Sequence, residues 1–177
     1  YGSTEAEPIA VLDARKHLDV LMAAEQQGRG ALVGAPVPEL DLRVLDDEIQ
    51  VAGDHVNPRY VDDPEADGAC KLREGDRTWH RTGDAGYLDE HGDLWLIGRT
   101  GDRVAGLWPL QVEGAAEGLA FVRRAGLGEV DGAPWVACEL AAPPHGWREQ
   151  VARLTGVPAV GVHKVPVDPR HNAKKTD

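Results

Sequence analysis

Cysteine is nearly missing from the chain. There are two, Cys70 and Cys138, far apart and with no CxxC partner. That spacing argues against a zinc site or a disulfide framework, and the pair reads as reduced thiols packed as small apolar groups. Long apolar runs are missing too. None approaches the roughly 18 residues of a membrane span. No secretory signal is visible, which says little for a chain that reads as a fragment, and the cytoplasm is the default expectation. Basic residues are outnumbered, 19 against 30 acidic ones, for a net charge of −11. Such a chain repels phosphate backbones, which argues against non-specific nucleic-acid binding. A nucleotide site survives that argument, because a few local donors outweigh the mean field. There is no internal repeat and no low-complexity tract. What remains is an ordinary globular mix, 42% apolar and 28% charged over 177 residues. That is enough for one medium domain or two small ones with a sizeable core.

Strand signals crowd the first half. Ile9 to Leu12 is a short apolar run. Leu18, Leu21 and Met22 recur at helical spacing between Arg15 and Gln26, and Gly28 and Gly30 supply the stop. Leu40, Leu42 and Val44 alternate with polar residues, Asp46-Asp47 offers a turn, and Ile49 and Val51 alternate after it, which predicts a β-hairpin. A strand is expected over Leu72 to His80. Another is expected over Leu94 to Ile97, after the turn Asp89-Glu90-His91-Gly92. Residues 31–98 therefore read as strand-rich. Beyond Gly101 the pattern mixes. A short helix is expected over Val112 to Leu119, a strand over Trp135 to Leu140, a helix over Trp147 to Leu154 with Val151 and Leu154 inward, and a strand over Val160 to Val162. Strands mixed with helices predict a small α+β domain, and the stretch Gly98–Gly106, with three glycines, is its natural boundary.

Four segments carry chemistry. In Tyr1-Gly2-Ser3-Thr4-Glu5 a hydroxyl can donate to a phosphate oxygen while the adjacent carboxylate holds Mg²⁺ directly or through water. A helix cap by Ser3 or Thr4 is the plainer alternative. In Trp79-His80-Arg81-Thr82-Gly83-Asp84 a carboxylate after a glycine turn can accept both hydroxyls of a ribose, or simply cap its own turn. Arg99, at the end of Leu96-Ile97-Gly98-Arg99, can donate to a ribose or phosphate oxygen, or sit in a surface ion pair. In Val165-Pro166-Val167-Asp168-Pro169-Arg170-His171-Asn172-Ala173-Lys174 two prolines constrain the entry to a loop. Lys174 is then a mobile point charge able to neutralise a carboxylate and a phosphate together, or part of a solvated basic tail.

In sequence and in order, these segments resemble the adenylate-forming superfamily of acyl-CoA synthetases and luciferase-like enzymes. The stretch TGDAGYLDEHGDLWLIGR matches that family's block almost residue for residue, and the likeness runs from 1 to 177. Within the superfamily, Trp79-His80-Arg81 and the run Arg170-His171-Asn172-Ala173-Lys174 resemble the β-lactone synthetases of olefin biosynthesis. The resemblance implies a multidomain α/β and α+β enzyme. Residues 1–100 would be the C-terminal part of the large adenylation domain, with a strand-rich, distorted-barrel-like subdomain at about 31–98. Residues 101–177 would be a small mobile domain swinging on Gly101. The sequence starts on Tyr1 rather than Met, with a motif at its first residue, and reads as a C-terminal fragment whose phosphate loop and acyl pocket lie upstream. Alone it is expected to be inactive.

By the same resemblance Thr4 is a phosphate contact and Glu5 the Mg²⁺ carboxylate. Tyr1 and Gly2 belong to the nucleotide motif, Asp84 and Arg99 bind ribose, and Lys174 bridges the substrate carboxylate and the α-phosphate. The cofactors would be ATP and Mg²⁺. The substrate would be a long-chain β-hydroxy acid and the product a β-lactone, with AMP and pyrophosphate released, possible assembly with pathway enzymes, and no nucleic-acid partner. Arg103 to Leu110 does not reproduce the Lys-x-x-Gly turn found near pantetheine in CoA ligases, which favours chemistry without CoA. Acyl-CoA synthetase or fatty-acyl-AMP ligase activity stays open, as does a non-catalytic interaction module.

Overall fold

The computed structural model describes residues 1–166. It divides into two compact units. The first comprises Tyr1–Leu21 and Ala31–Gly101. Its sheet has seven strands: β1 (Ala10–Val11), β2 (Ala31–Pro36), β3 (Leu40–Leu45), β4 (Glu48–Gly53), β5 (Lys71–Glu74), β6 (Arg77–Leu88) and β7 (Leu94–Arg99). They run in the order β1-β2-β7-β6-β4-β3, with β5 paired to β6 off this path. The β3–β4 hairpin forms where the alternation predicts it. Asp46 and Asp47 both hold positive φ, the two-residue turn whose twist suits an antiparallel pair. Every residue of β4 from Glu48 to Ala52 is buried. Ile49 and Val51 enter a core with Ala6, Ile9, Val37, Leu40, Val56 and Leu94. Glu48 and Gln50 face the other way and are satisfied by charge. Arg81 Nε donates to Glu48 at 2.7 Å, and Arg43 Nε donates to Gln50 at 3.0 Å.

Two expectations need correction here. The strand expected over Leu72 to His80 is a hairpin, β5 turning into β6 around Gly75 at φ 60°. The Thr82-Gly83-Asp84 segment, read as a turn, lies inside the twelve-residue β6. Ladder pairing to β4 and β7 on either side holds the chain extended there, although Gly83 takes φ 69°. A helix that hydrophobic periodicity does not announce, α2 (Pro64–Cys70), has the local signals of one. Asp63 caps it by accepting from Ala66 N at 2.9 Å, and Pro64 fills its first turn.

The second unit comprises Met22–Gly30 and the chain from Asp102 on. Helix α1 (Ala14–Gln26) thus contributes residues to both units. Helices α3 (Pro109–Glu117) and α4 (Trp147–Thr155) accompany a three-stranded sheet of β8 (Val122–Val130), β9 (Ala133–Leu140) and β10 (Ala159–Val162). β8 and β9 are antiparallel, and β9 and β10 are parallel. Val112, Ala116, Ala125, Val136, Cys138, Trp147, Val151 and Val157 form its core. Trp147 and Val151 carry the buried stripe of α4. Leu154, expected inward, is exposed, and the helix stops at Gly156 in the left-handed region directly after its last turn. Both cysteines are free thiols, and burial pushes Cys138 up to about 11.

Candidate functional site

The first motif is a tight reverse turn. Ser3 and Ala6 exchange two backbone hydrogen bonds, 2.9 and 3.1 Å, which leaves Thr4 and Glu5 at the tip. Ala6, Ile9 and Ala10 are buried and anchor its base. The turn is not a helix cap, because the next helix starts at Ala14. Thr4 is exposed and Glu5 half-buried.

β6 and β7 pair with Asp84 opposite Arg99. Arg99 Nη1 donates to Asp84 Oδ1 at 2.7 Å, and Tyr1 Oη donates to Asp84 Oδ2 at 2.7 Å. Thr82 Oγ1 accepts from Asp84 N at 3.0 Å and donates to Ile49 O at 2.9 Å, which fixes the backbone beneath the carboxylate. Backbone strain disfavours any side chain at Gly83. A Cβ would lie 3.4 Å from the Arg99 guanidinium, on a backbone at φ 69°. Burial and then the Asp84 charge push the Tyr1 phenol well above its ordinary range, so it stays a donor. Tyr1, Asp84 and Arg99, far apart in sequence, are therefore one cluster. The Asp84 carboxylate is committed to neighbouring side chains rather than to its own turn. Arg99 is in an ion pair, and the partner is Asp84 itself.

At the other end of the first motif a second cluster surrounds Glu5. Tyr60 Oη donates to Glu5 Oε1 at 2.8 Å, and Asn57 N donates to the Glu5 carbonyl at 2.7 Å. His80 Nε2 lies 3.8 Å from Glu5 Oε2. Lys71 and His80, paired across β5 and β6, are both buried. Burial pushes Glu5 up, but the Tyr60 hydroxyl, backbone donors and His80 outweigh it, and the net shift is downward. Burial lowers both Lys71 and His80, the latter also through the Lys71 charge. Tyr60 is driven up by burial and by Glu5, so its phenol is a lasting donor. Sequence reasoning missed Tyr60 and Lys71, which lie in no motif. In the sequence His80 stands out only within the run Trp79-His80-Arg81.

Among the described residues no group of three acidic, histidine or cysteine side chains could enclose a metal. A lone carboxylate that stays ionised suits Mg²⁺ only when most ligands come from nucleotide phosphates and water, and this ion is commonly bound in that way. Glu5 fits that arrangement. Gly101 is exposed, with open space where a Cβ would stand. Lys174 lies outside the described residues. A hollow of about 650 Å³ opens beside Glu7, Pro8, Val11, Pro36, Val37 and His55, and neither cluster lines it.

No family model matches the chain. Individual proteins do. An olefin β-lactone synthetase of Stenotrophomonas maltophilia (strain K279a) is 34% identical over 98% of this chain and 39% of its own length. That of Xanthomonas campestris pv. campestris is 30% identical over the same shares. Among solved structures, an amide bond synthetase from Marinactinospora thermotolerans is 27% identical with a TM-score of 0.76, over 96% of this chain and 38% of that one. The o-succinylbenzoate coenzyme A synthetase of Bacillus subtilis, in complex with AMP, has the same fold at 22% identity, with a TM-score of 0.71 over 100% of this chain and 41% of that one. The chain spans about two-fifths of the length of the curated relatives it matches. It belongs to the adenylate-forming, acyl-CoA synthetase and luciferase-like superfamily.

Proposed function

We propose that this chain works as the C-terminal part of an AMP-forming ligase that activates a carboxylic acid with ATP, most specifically a long-chain β-hydroxy acid on its way to a β-lactone. The observation that carries the reading is the joining of Tyr1, Asp84 and Arg99 around one carboxylate, in a chain whose relatives include two olefin β-lactone synthetases. Asp84 would accept the ribose hydroxyls, with Arg99 and Tyr1 holding its two oxygens in place. Thr4, exposed at the turn tip, would donate to a phosphate oxygen. Mg²⁺, when bound with the nucleotide, offsets phosphate charge, and Glu5 would be the carboxylate that receives it.

Lys174 would carry the remaining charge. A carboxylate must approach a phosphate that is already negative, and an ammonium beside both offsets the repulsion. Once the acyl-adenylate exists that charge is gone. In the favoured reading the substrate's own β-hydroxyl then attacks the acyl carbon. AMP leaves, and proximity works against the strain of a four-membered ring. Gly101 would let residues 101–177 turn between the two half-reactions, because a glycine crosses backbone regions cheaply.

The test separates those halves in the full-length parent. Lys174→Ala is expected to slow ATP–pyrophosphate exchange by roughly 10²–10³. It should leave lactone formation from synthetic β-hydroxyacyl-AMP much less affected. Equal losses overturn the role of Lys174, and unchanged exchange removes it from the site. A product that forms only with added CoA would replace the lactone reading with acyl-CoA synthesis.

A further inference from the structure

The Glu5 carboxylate is held more closely than a side chain at the tip of a reverse turn requires. The segment Asn57–Tyr60 grips that turn twice, through Asn57 N on the Glu5 carbonyl at 2.7 Å and through Tyr60 Oη on Glu5 Oε1 at 2.8 Å. The gripping segment is itself fixed. Tyr60 N donates to Asp67 Oδ1 at 2.6 Å, inside α2. The Lys71 ammonium stands 5.1 Å from the centre of the Tyr60 ring, and Lys71 Nζ donates to the Asn57 carbonyl. Lys71 is buried for this purpose and forms no ion pair among the described residues, which sets it apart from an ordinary surface lysine. The phenol alone touches the acidic side chain; Asn57 N holds the Glu5 backbone, and Lys71 and Asp67 hold the segment that carries the phenol.

A glutamate in water turns freely about three bonds, and holding it still costs side-chain entropy. A carboxylate already held by a hydrogen-bond donor does not bear that cost again when a metal arrives. Donors behind ligating side chains commonly change metal affinity 10- to 100-fold.

We propose that Tyr60 is a positioning residue for the divalent cation that enters with the nucleotide: its phenol holds Glu5 Oε1, and Lys71 and Asp67 hold Tyr60. The inference rests on the reading of Glu5 as the metal carboxylate, and it assigns Tyr60 no contact with substrate.

The experiment uses Mn²⁺ as the probe, followed by electron paramagnetic resonance during titration into the full-length parent with saturating ATP. Thermal midpoints and metal-free ATP affinity are measured beside it. Tyr60→Phe keeps the ring under Lys71 and removes only the hydroxyl. It is expected to weaken Mn²⁺ binding by roughly 10-fold while metal-free ATP binding and the melting temperature hold. Glu5→Asp, which draws the carboxylate back from the phenol with Tyr60 intact, gives a second route. Because it also draws the carboxylate back from the metal, it should weaken Mn²⁺ at least as much, and Tyr60→Phe should then add little, since the phenol no longer reaches the carboxylate it holds. Wild-type Mn²⁺ affinity in Tyr60→Phe, alongside a clear loss in Glu5→Gln, overturns the inference and leaves the Glu5 reading standing. No loss in Glu5→Gln overturns the reading of Glu5 and this inference with it. A fall in metal-free ATP affinity equal to the fall in Mn²⁺ affinity would show a general disturbance of the site and overturn the assigned role.

Discussion

Tyr1 and Asp84 are joined by a 2.7 Å hydrogen bond across 83 positions of sequence. Four residues on from Tyr1 and four back from Asp84, Glu5 Oε2 lies 3.8 Å from His80 Nε2. The first motif and β6 therefore meet in opposite directions, with the Asp84 carboxylate at one end and that of Glu5 at the other. If Asp84 receives a ribose, Asp84→Asn is expected to weaken AMP binding to the full-length parent by roughly 10-fold, since a hydrogen bond to a charged group is worth about 1.5–3 kcal/mol. Its thermal midpoint should move little, because Arg99 is more than half exposed and the ion pair is solvent-screened. Isothermal titration with AMP checks this. Unchanged affinity would separate Asp84 from the nucleotide.

Much of this was legible in the residues. Alternation in Leu40–Val44 and Ile49–Val51, with two aspartates between, predicts the β3–β4 hairpin, and the segment after Gly92 predicts β7. The ends of Leu96–Arg99 and Thr82–Asp84 were named as site segments, and cross-strand pairing explains why they meet. Less legible were elements defined by partners rather than by period. β6 is long because it has neighbours on both sides. α2 is too short to show a periodicity, and only its Asp63-Pro64 start marks it. Tyr60 and Lys71 belong to no motif. Their relation to Glu5 is made by chain geometry, which one sequence does not print.

Two glycines should prove irreplaceable for packing. A Cβ at Gly86 would come within 2.7 Å of Ile49 Cδ1 and would also strike the Trp95 carbonyl. At Gly34 it would meet the Val11 carbonyl and lie 2.8 Å from Leu12 Cα, on a backbone at φ 92°. The Trp95, Val11 and Leu12 atoms belong to the backbone, and Ile49 is fully buried, so none gives way freely. Gly86→Ala and Gly34→Ala are each expected to cost about 1–3 kcal/mol, and Gly34→Ala more because strain is added. Gly92→Ala, which meets nothing within 4 Å at φ 83°, isolates the backbone part. Urea midpoints of the three variants decide the order.

The β6–β7 turn carries a pH dependence of known sign. Asp89 accepts from His91 N at 2.9 Å, Asp93 N at 3.1 Å and Trp95 Nε1 at 2.9 Å. Burial alone would raise it, but these donors hold it below its ordinary 3.8. A depressed folded value means that the stabilisation is complete above the unfolded value and is lost as pH falls through the folded one. Asp89→Ala is expected to cost about 1–3 kcal/mol at pH 7. The gap to wild type should begin to narrow below about pH 4, where the unfolded carboxylate takes up its proton, and close once the native one is protonated as well. Urea unfolding at pH 7 and pH 3, followed by tryptophan fluorescence, tests it. A gap that is the same at both values would show that the charge on Asp89 contributes nothing.

The last prediction concerns how the second unit closes the open side of its sheet. In the order β10-β9-β8, strand β8 has a neighbour on one side only among the described residues, and an unpaired strand edge invites pairing with another chain. Here α3 supplies the acceptors. Glu113 Oε1 accepts from Leu127 N, and Glu117 Oε1 from Ala125 N, both at 2.8 Å. The geometry follows from two elementary repeats. Four residues of helix advance about 6 Å, and two residues of strand about 6.7 Å. Carboxylates at i and i+4 therefore match alternate amides on one edge when helix and strand run oppositely. The two bonds differ in worth, because Glu113 is buried and Glu117 exposed. Without Glu113, the amide of half-buried Leu127 loses an acceptor that is itself buried, and Glu113→Ala should cost about 1–3 kcal/mol. Ala125 is itself fully buried, but removing the exposed Glu117 side chain opens space for water beside its amide, and Glu117→Ala should cost less, about 1 kcal/mol. Glu113→Gln keeps an acceptor and should fall between. Amide hydrogen exchange reads the same contrast at single residues: Leu127 should speed up strongly in Glu113→Ala, and Ala125 only modestly in Glu117→Ala. Equal acceleration at the two amides would mean that the edge is protected by packing of α3 as a whole, and not by its carboxylates.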